Sequence, residues 1–98
     1  MSSVFVYGFK GMFSGSAEHE YRFPKEGVEL KSIIFLLQTN DQLDFVKAEK
    51  EISKYGFISV HSIEGNVLKI ESLNTPKGIK FQPFYEEALE TGSSIAIY

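Results

Sequence analysis

KSIIFLLQTNDQLDFVKAEKEISKYGFISV, residues 31–60, reads as strand, helix, strand. Ser32–Gln38 is apolar on both faces, the pattern of a central strand covered on both sides or of one buried by a hairpin. Asn40 or Asp41 suits the cap of the helix that follows, and Asp44 adds negative charge in its first turn. Phe45, Ala48, Ile52 and Tyr55 recur at intervals of three and four, a stripe that packs on a sheet. Lys50 and Lys54 fall in the later turns, where cations suit the helix dipole. Gly56 ends the helix as a left-handed residue, with Phe57 folding back as the accompanying apolar contact.

Downstream, Phe57–Ile63 and Val67–Leu73 flank Glu64-Gly65-Asn66, which reads as a hairpin turn. Thr75-Pro76-Lys77-Gly78 marks a loop, and Pro83 suits the first turn of a second helix. Phe84, Ala88 and Leu89 are candidates for the buried side of that helix, Gly92 stops it, and Ser93–Tyr98 forms the last strand. Upstream, Val4–Phe9 reads as a strand, Lys10–Ser16 as turn chemistry, and Glu18–Phe23 as a second strand with His19, Tyr21 and Phe23 on one face.

The expected architecture is a single α+β domain over residues 1–98. Residues 31–98 give a ferredoxin-like βαββαβ core, an antiparallel sheet with two helices on one face. Residues 1–30 add an N-terminal hairpin.

Composition narrows the function. The 98 residues contain no Cys, which excludes disulfides, a thiolate nucleophile and Cys-based zinc sites. The longest apolar run, Ile33–Leu37, is far short of the roughly 20 residues that span a bilayer. The N-terminus has no basic region followed by an apolar one, so a cytoplasmic protein away from membranes is expected. The net charge is −3, and residues 1–80 carry ten Lys/Arg against ten Asp/Glu. The whole excess sits on Glu86, Glu87 and Glu90 of the second helix. Nucleic-acid binding normally shows a basic stripe instead, so a basic protein partner fits better.

Candidate chemistry is sparse. Glu18-His19-Glu20 could suggest a metal site, but neighbours in a strand point to opposite faces, so a surface histidine is the better reading and no metal or cofactor is expected. His61 shares a face with Ser59 and Ile63, and Glu71 could lie across from it. No nucleophile elbow or oxyanion loop accompanies that Ser-His-Glu set, and a cross-strand histidine is the simpler account. The glycines at 8, 11 and 15 miss the dinucleotide spacing. Glu86 and Glu90, one helical turn apart, share an acidic face with Glu87, either as a solvated surface or as a contact for a cation. Met12 and Phe13, in a glycine- and serine-rich segment, serve equally as a contact patch or as a lid folded back on the core.

The cadence of AEKEISKYGFISV, a hairpin, and FYEEALETGSSIAIY, spread over Asp41–Tyr98, resembles small bacterial immunity proteins of contact-dependent growth inhibition and related polymorphic toxin systems. The resemblance implies a non-catalytic toxin inhibitor that covers the basic active site of a cognate, nuclease-type toxin by protein–protein interaction. Glu86, Glu87, Glu90, Met12 and Phe13 are the candidate partner-binding residues by the charge and exposure arguments above. Two readings compete with it. One is a small-molecule-binding regulatory module of ferredoxin-like type, a homodimer through its sheet edges. The other is a small enzyme using His61.

Overall fold

The computed structural model describes residues 3–97. β1 (Ser3–Phe13), β2 (Glu29–Gln38), β3 (Phe57–Val67) and β4 (Ser93–Ile97) form one sheet in the order β3-β1-β2-β4, antiparallel at every pairing. α1 (Phe45–Lys54) connects β2 to β3, and α2 (Gln82–Thr91) connects β3 to β4. The α+β class, the antiparallel sheet and the two helices agree with the sequence. Among the described residues no helix is long and apolar enough to cross a membrane.

The helices lie on opposite faces of the sheet, not on one. Alternation along the strands sends Phe5, Tyr7, Phe9, Ile34 and Leu36 towards Ala48 and Ile52 of α1 and Tyr55 at its C-cap. The intervening Val4, Val6, Ile33 and Phe35 meet Ala88, Phe84 and Tyr85 of α2. The cause is β2, whose two apolar faces each need a cover. Both sides of Phe35 show it: its ring stacks on Phe84 at 5.7 Å, while its chain neighbours Ile34 and Leu36 are buried under α1.

From β2 onward the connectivity is βαβαβ rather than βαββαβ, with β1 preceding it. β1 is a central strand running to Phe13, longer than Val4–Phe9, and it pairs with β2 from Ser3↔Gln38 to Met12↔Glu29. Glu18–Phe23, expected as the second strand of an N-terminal hairpin, is irregular. Its alternating rings are used for packing instead, with Tyr21 against Tyr55 and Phe23 stacked on Phe13. The hairpin expected over 57–73 is one strand, Phe57–Val67, followed by 3-10 turns at Ile70–Asn74 and Ile79–Phe81. Gly65 is not a turn residue. It lies opposite Tyr7, and a Cβ there would come within 2.9 Å of the Tyr7 ring and 2.8 Å of Leu43. The ferredoxin-like element that remains is a split β-α-β: β2 and β3 run parallel, linked by α1, with β1 inserted between them.

α1 begins later than Asn40 or Asp41. Its cap is Asp44, whose Oδ1 accepts from the Lys47 backbone N–H at 3.0 Å. Tertiary structure sets that start, because the Tyr7 hydroxyl accepts from the Asp44 N–H at 2.9 Å and donates to the buried Gln38 side chain. Gly56 does terminate α1, with φ +87°. Phe45 and Leu89, expected in the core, are largely exposed, and Tyr98 lies outside the described residues.

Candidate functional site

α2 is placed by Pro83 in its first turn and by Gly92 at its end, where φ is +101° and the N–H donates to the Ala88 carbonyl at 2.9 Å. Ala88, Phe84 and Tyr85 face the sheet, which leaves Glu86, Glu87 and Glu90 in solvent. Among the described residues none of these three glutamates has a lysine or arginine at ion-pair distance. The structure separates them. Glu87, with Thr91 one turn later, lines a polar hollow of about 290 Å³, and Glu86 and Glu90 do not.

The other walls of this hollow come from the long β1–β2 connection. Ser14 N–H donates to the Gly56 carbonyl at 2.8 Å, and the N–H groups of Glu18 and His19 both donate to the Lys54 carbonyl, at 2.9 and 3.2 Å. These bonds fasten the connection to the C-terminal end of α1, where helix carbonyls lack partners. The strap then presents His19, Glu20 and Tyr21 beside Tyr55. His19 Nε2 lies 2.9 Å from Glu51 Oε1, and its ring is 4.6 Å from that of Tyr55. The Tyr21 hydroxyl donates to the Tyr55 carbonyl, and the two rings meet edge-on at 5.2 Å. The Tyr55 hydroxyl is 3.0 Å from Ser93 Oγ, which ties α1 to the start of β4.

Burial pushes the Tyr21 hydroxyl up to about 12, with the Tyr55 phenol adding to it. Burial also raises Tyr55; the bond to Ser93 works against it and the Glu51 and Glu87 charges reinforce it. Both phenols are neutral at physiological pH, so the carboxylates set the sign of the potential in the hollow. A raised folded-state value stabilises the fold below the unfolded value near 10. That contribution is lost as pH rises through about 12. Urea midpoints should therefore hold level from pH 8 to about 10 and then fall. The fall should be shallower in Tyr21→Phe. An equally steep fall in that variant would show that Tyr21 is not the group responsible.

The remaining candidates fall elsewhere. Phe13 is buried, with its ring against Phe23, Tyr21 and Phe57, so of the two readings it takes the lid. Met12 is half-buried within β1 rather than in a loop. His61 does not meet Ser59 and Glu71. Left-handed backbone at Ser59 and Ser62, φ 53° and 57°, accompanies two register shifts of β3 against β1 and re-aims its side chains. His61 instead bonds Glu29 across β1 and lies 3.0 Å from Ser62 Oγ. Both ends of the His61–Glu29 pair are about half exposed, so the chain acts as a surface link between β3 and β2.

No family model matches this chain. Nor does any curated protein or solved structure. What the chain can do must be read from the hollow and its surroundings. Three segments distant in sequence bring Glu20, Glu51 and Glu87 to one place. Of these the sequence singled out Glu87, for the acidic helix, and Glu20, beside His19. Nothing in the local pattern pairs His19 with Glu51, 32 residues away, or joins Tyr55 to Ser93, because the first contact depends on the strap crossing the end of α1 and the second on α1 packing over β4.

Proposed function

We propose that this chain is a binding protein that covers a basic surface of a protein partner, the role its resemblance to toxin-immunity proteins implies. The observation that carries the proposal is the acidic surface of α2: Glu86, Glu87 and Glu90, without a compensating cation among the described residues, extended at its C-terminal end by Glu20. Like charges one turn apart cost a helix a few tenths of a kcal/mol. A partner that supplies the missing cations offsets that cost on binding. A nuclease cleft is basic because it must hold phosphate, so an acidic helix competes with substrate for it.

Such a surface acts first on the encounter rate, by long-range attraction, and fixes register once the partners touch. A purified nuclease-type toxin domain with a basic active site is the first partner to test, by surface plasmon resonance over a range of salt. The association rate constant should fall as ionic strength rises. Replacing Glu86, Glu87 and Glu90 together by Gln should lower it about tenfold or more at low salt, with a smaller change in dissociation. An association rate indifferent to salt, or no complex with any basic toxin domain, would refute this function.

A further inference from the structure

We propose that the hollow between the strap at 18–21, α1 and α2 seats one arginine side chain of the basic partner, with the guanidinium against the half-buried Tyr21 ring and its N–H groups directed to Glu87 and Glu20. This rests on the reading of the chain as a binder of a basic protein, and it names the contact within that surface.

Three features of the hollow favour a guanidinium over other groups. It is a concavity of about 290 Å³, not a flat acidic face, so an occupant gives up water and gains contact on several sides. Its wall is aromatic: the Tyr21 and Tyr55 rings are 5.2 Å apart, and the His19 ring is 4.6 Å from Tyr55. A planar, weakly hydrated cation stacks on such rings, whereas an ammonium keeps its water more tightly. The hydroxyls in the wall are already committed, Tyr21 to the Tyr55 carbonyl, Tyr55 to Ser93, and Thr91 to the Glu87 and Ser93 carbonyls. Glu51 is engaged by His19. The charged acceptors of the lining that have no partner among the described residues are the carboxylates of Glu20 and Glu87, which come from different segments. Five N–H donors in a fork match two carboxylates.

The test uses the full chain and N-acetyl-L-arginine amide, which carries one positive charge and no free termini. Backbone amide NMR should show saturable shifts confined to residues 19–21, 55 and 87–95, with millimolar affinity. N-acetyl-citrulline amide, of the same shape without the charge, should give none. Glu87→Gln should weaken binding about tenfold. Glu49→Gln removes the same charge from an exposed position of α1 outside the hollow and should leave the affinity within about twofold. Unchanged thermal midpoints show that both variants fold. Non-saturating shifts, equal binding of N-acetyl-lysine amide or of the citrulline compound, or equal losses in the two variants would overturn the proposal. Its failure is separable from that of the broader function. If salt-dependent toxin binding persists while the arginine amide does not bind, the hollow is wrongly assigned and the acidic helix stands. If the amide binds but no basic toxin does, the hollow stands without that partner.

Discussion

Gly56→Ala is expected to lower stability by about 3 kcal/mol, a drop of roughly 12–24 °C in Tm for a domain of this size. Two independent penalties coincide at this residue. Its φ of +87° is left-handed, which costs a residue with a Cβ about 1–2 kcal/mol. A Cβ there would also sit 2.3 Å from the Ser16 carbonyl oxygen and 2.7 Å from the Phe13 ring. Neither neighbour yields easily. The first belongs to the strap that the Gly56 carbonyl itself holds through Ser14, and the second is a buried ring wedged among other aromatics. Gly27→Ala is the control, since Gly27 shares the left-handed conformation (φ +77°) but has nothing within 4 Å of the position a Cβ would take. Differential scanning calorimetry of both variants separates conformational strain from the clash. Equal losses at 56 and 27 would mean that the strap does not press on Gly56. Because the strap carries His19 and Tyr21, Gly56→Ala should also abolish arginine-amide binding wherever the protein stays folded.

Phe35→Ala is the second large expectation, with a cost of about 3–5 kcal/mol. Phe35 is 1% exposed, stacks on Phe84 at 5.7 Å with 16° between the planes, and touches Phe81 at 5.8 Å. It is the main aromatic contact between the sheet and the α2 layer. Its loss should loosen α2 before α1, and hydrogen exchange resolves the two. Protection should fall across Gln82–Thr91 while Phe45–Lys54 remains protected, in line with local opening of the element whose packing is cut. Ile52→Ala, beneath the other face, should give the reverse order. Loss of α1 protection in Phe35→Ala ahead of α2 would contradict the separation of the helices onto two faces. The same variant bears on function, because α2 carries Glu86, Glu87 and Glu90, and a loosened helix presents them without fixed geometry.

Gly65 and Glu18–Phe23 depart from their local patterns for one physical reason. Glycine next to asparagine signals a turn when only neighbours are weighed, yet Gly65 is used for a close approach to the Tyr7 ring, 58 residues earlier in the chain. Alternation of His19, Tyr21 and Phe23 signals a strand, yet those rings satisfy their apolar demand against Phe13 and Tyr55, while the backbone bonds the end of α1. In both places a local pattern has two physical solutions, and a distant side chain selects between them.

What the chain determines on its own is whatever depends on periodicity and on end signals. The apolar stripe at Ala48, Ile52 and Tyr55, the stops at Gly56 and Gly92, and the two apolar faces of Ser32–Gln38 specify helices, ends and a doubly covered strand, because spacing along a backbone sets which way side chains point. Tertiary structure alone decides which layer covers which face, where β1 inserts, and that His19, Glu20, Tyr55 and Glu87 surround one hollow. Those outcomes are set by the free energy of closing loops around competing packings, a quantity that belongs to the folded whole and to no segment of the sequence.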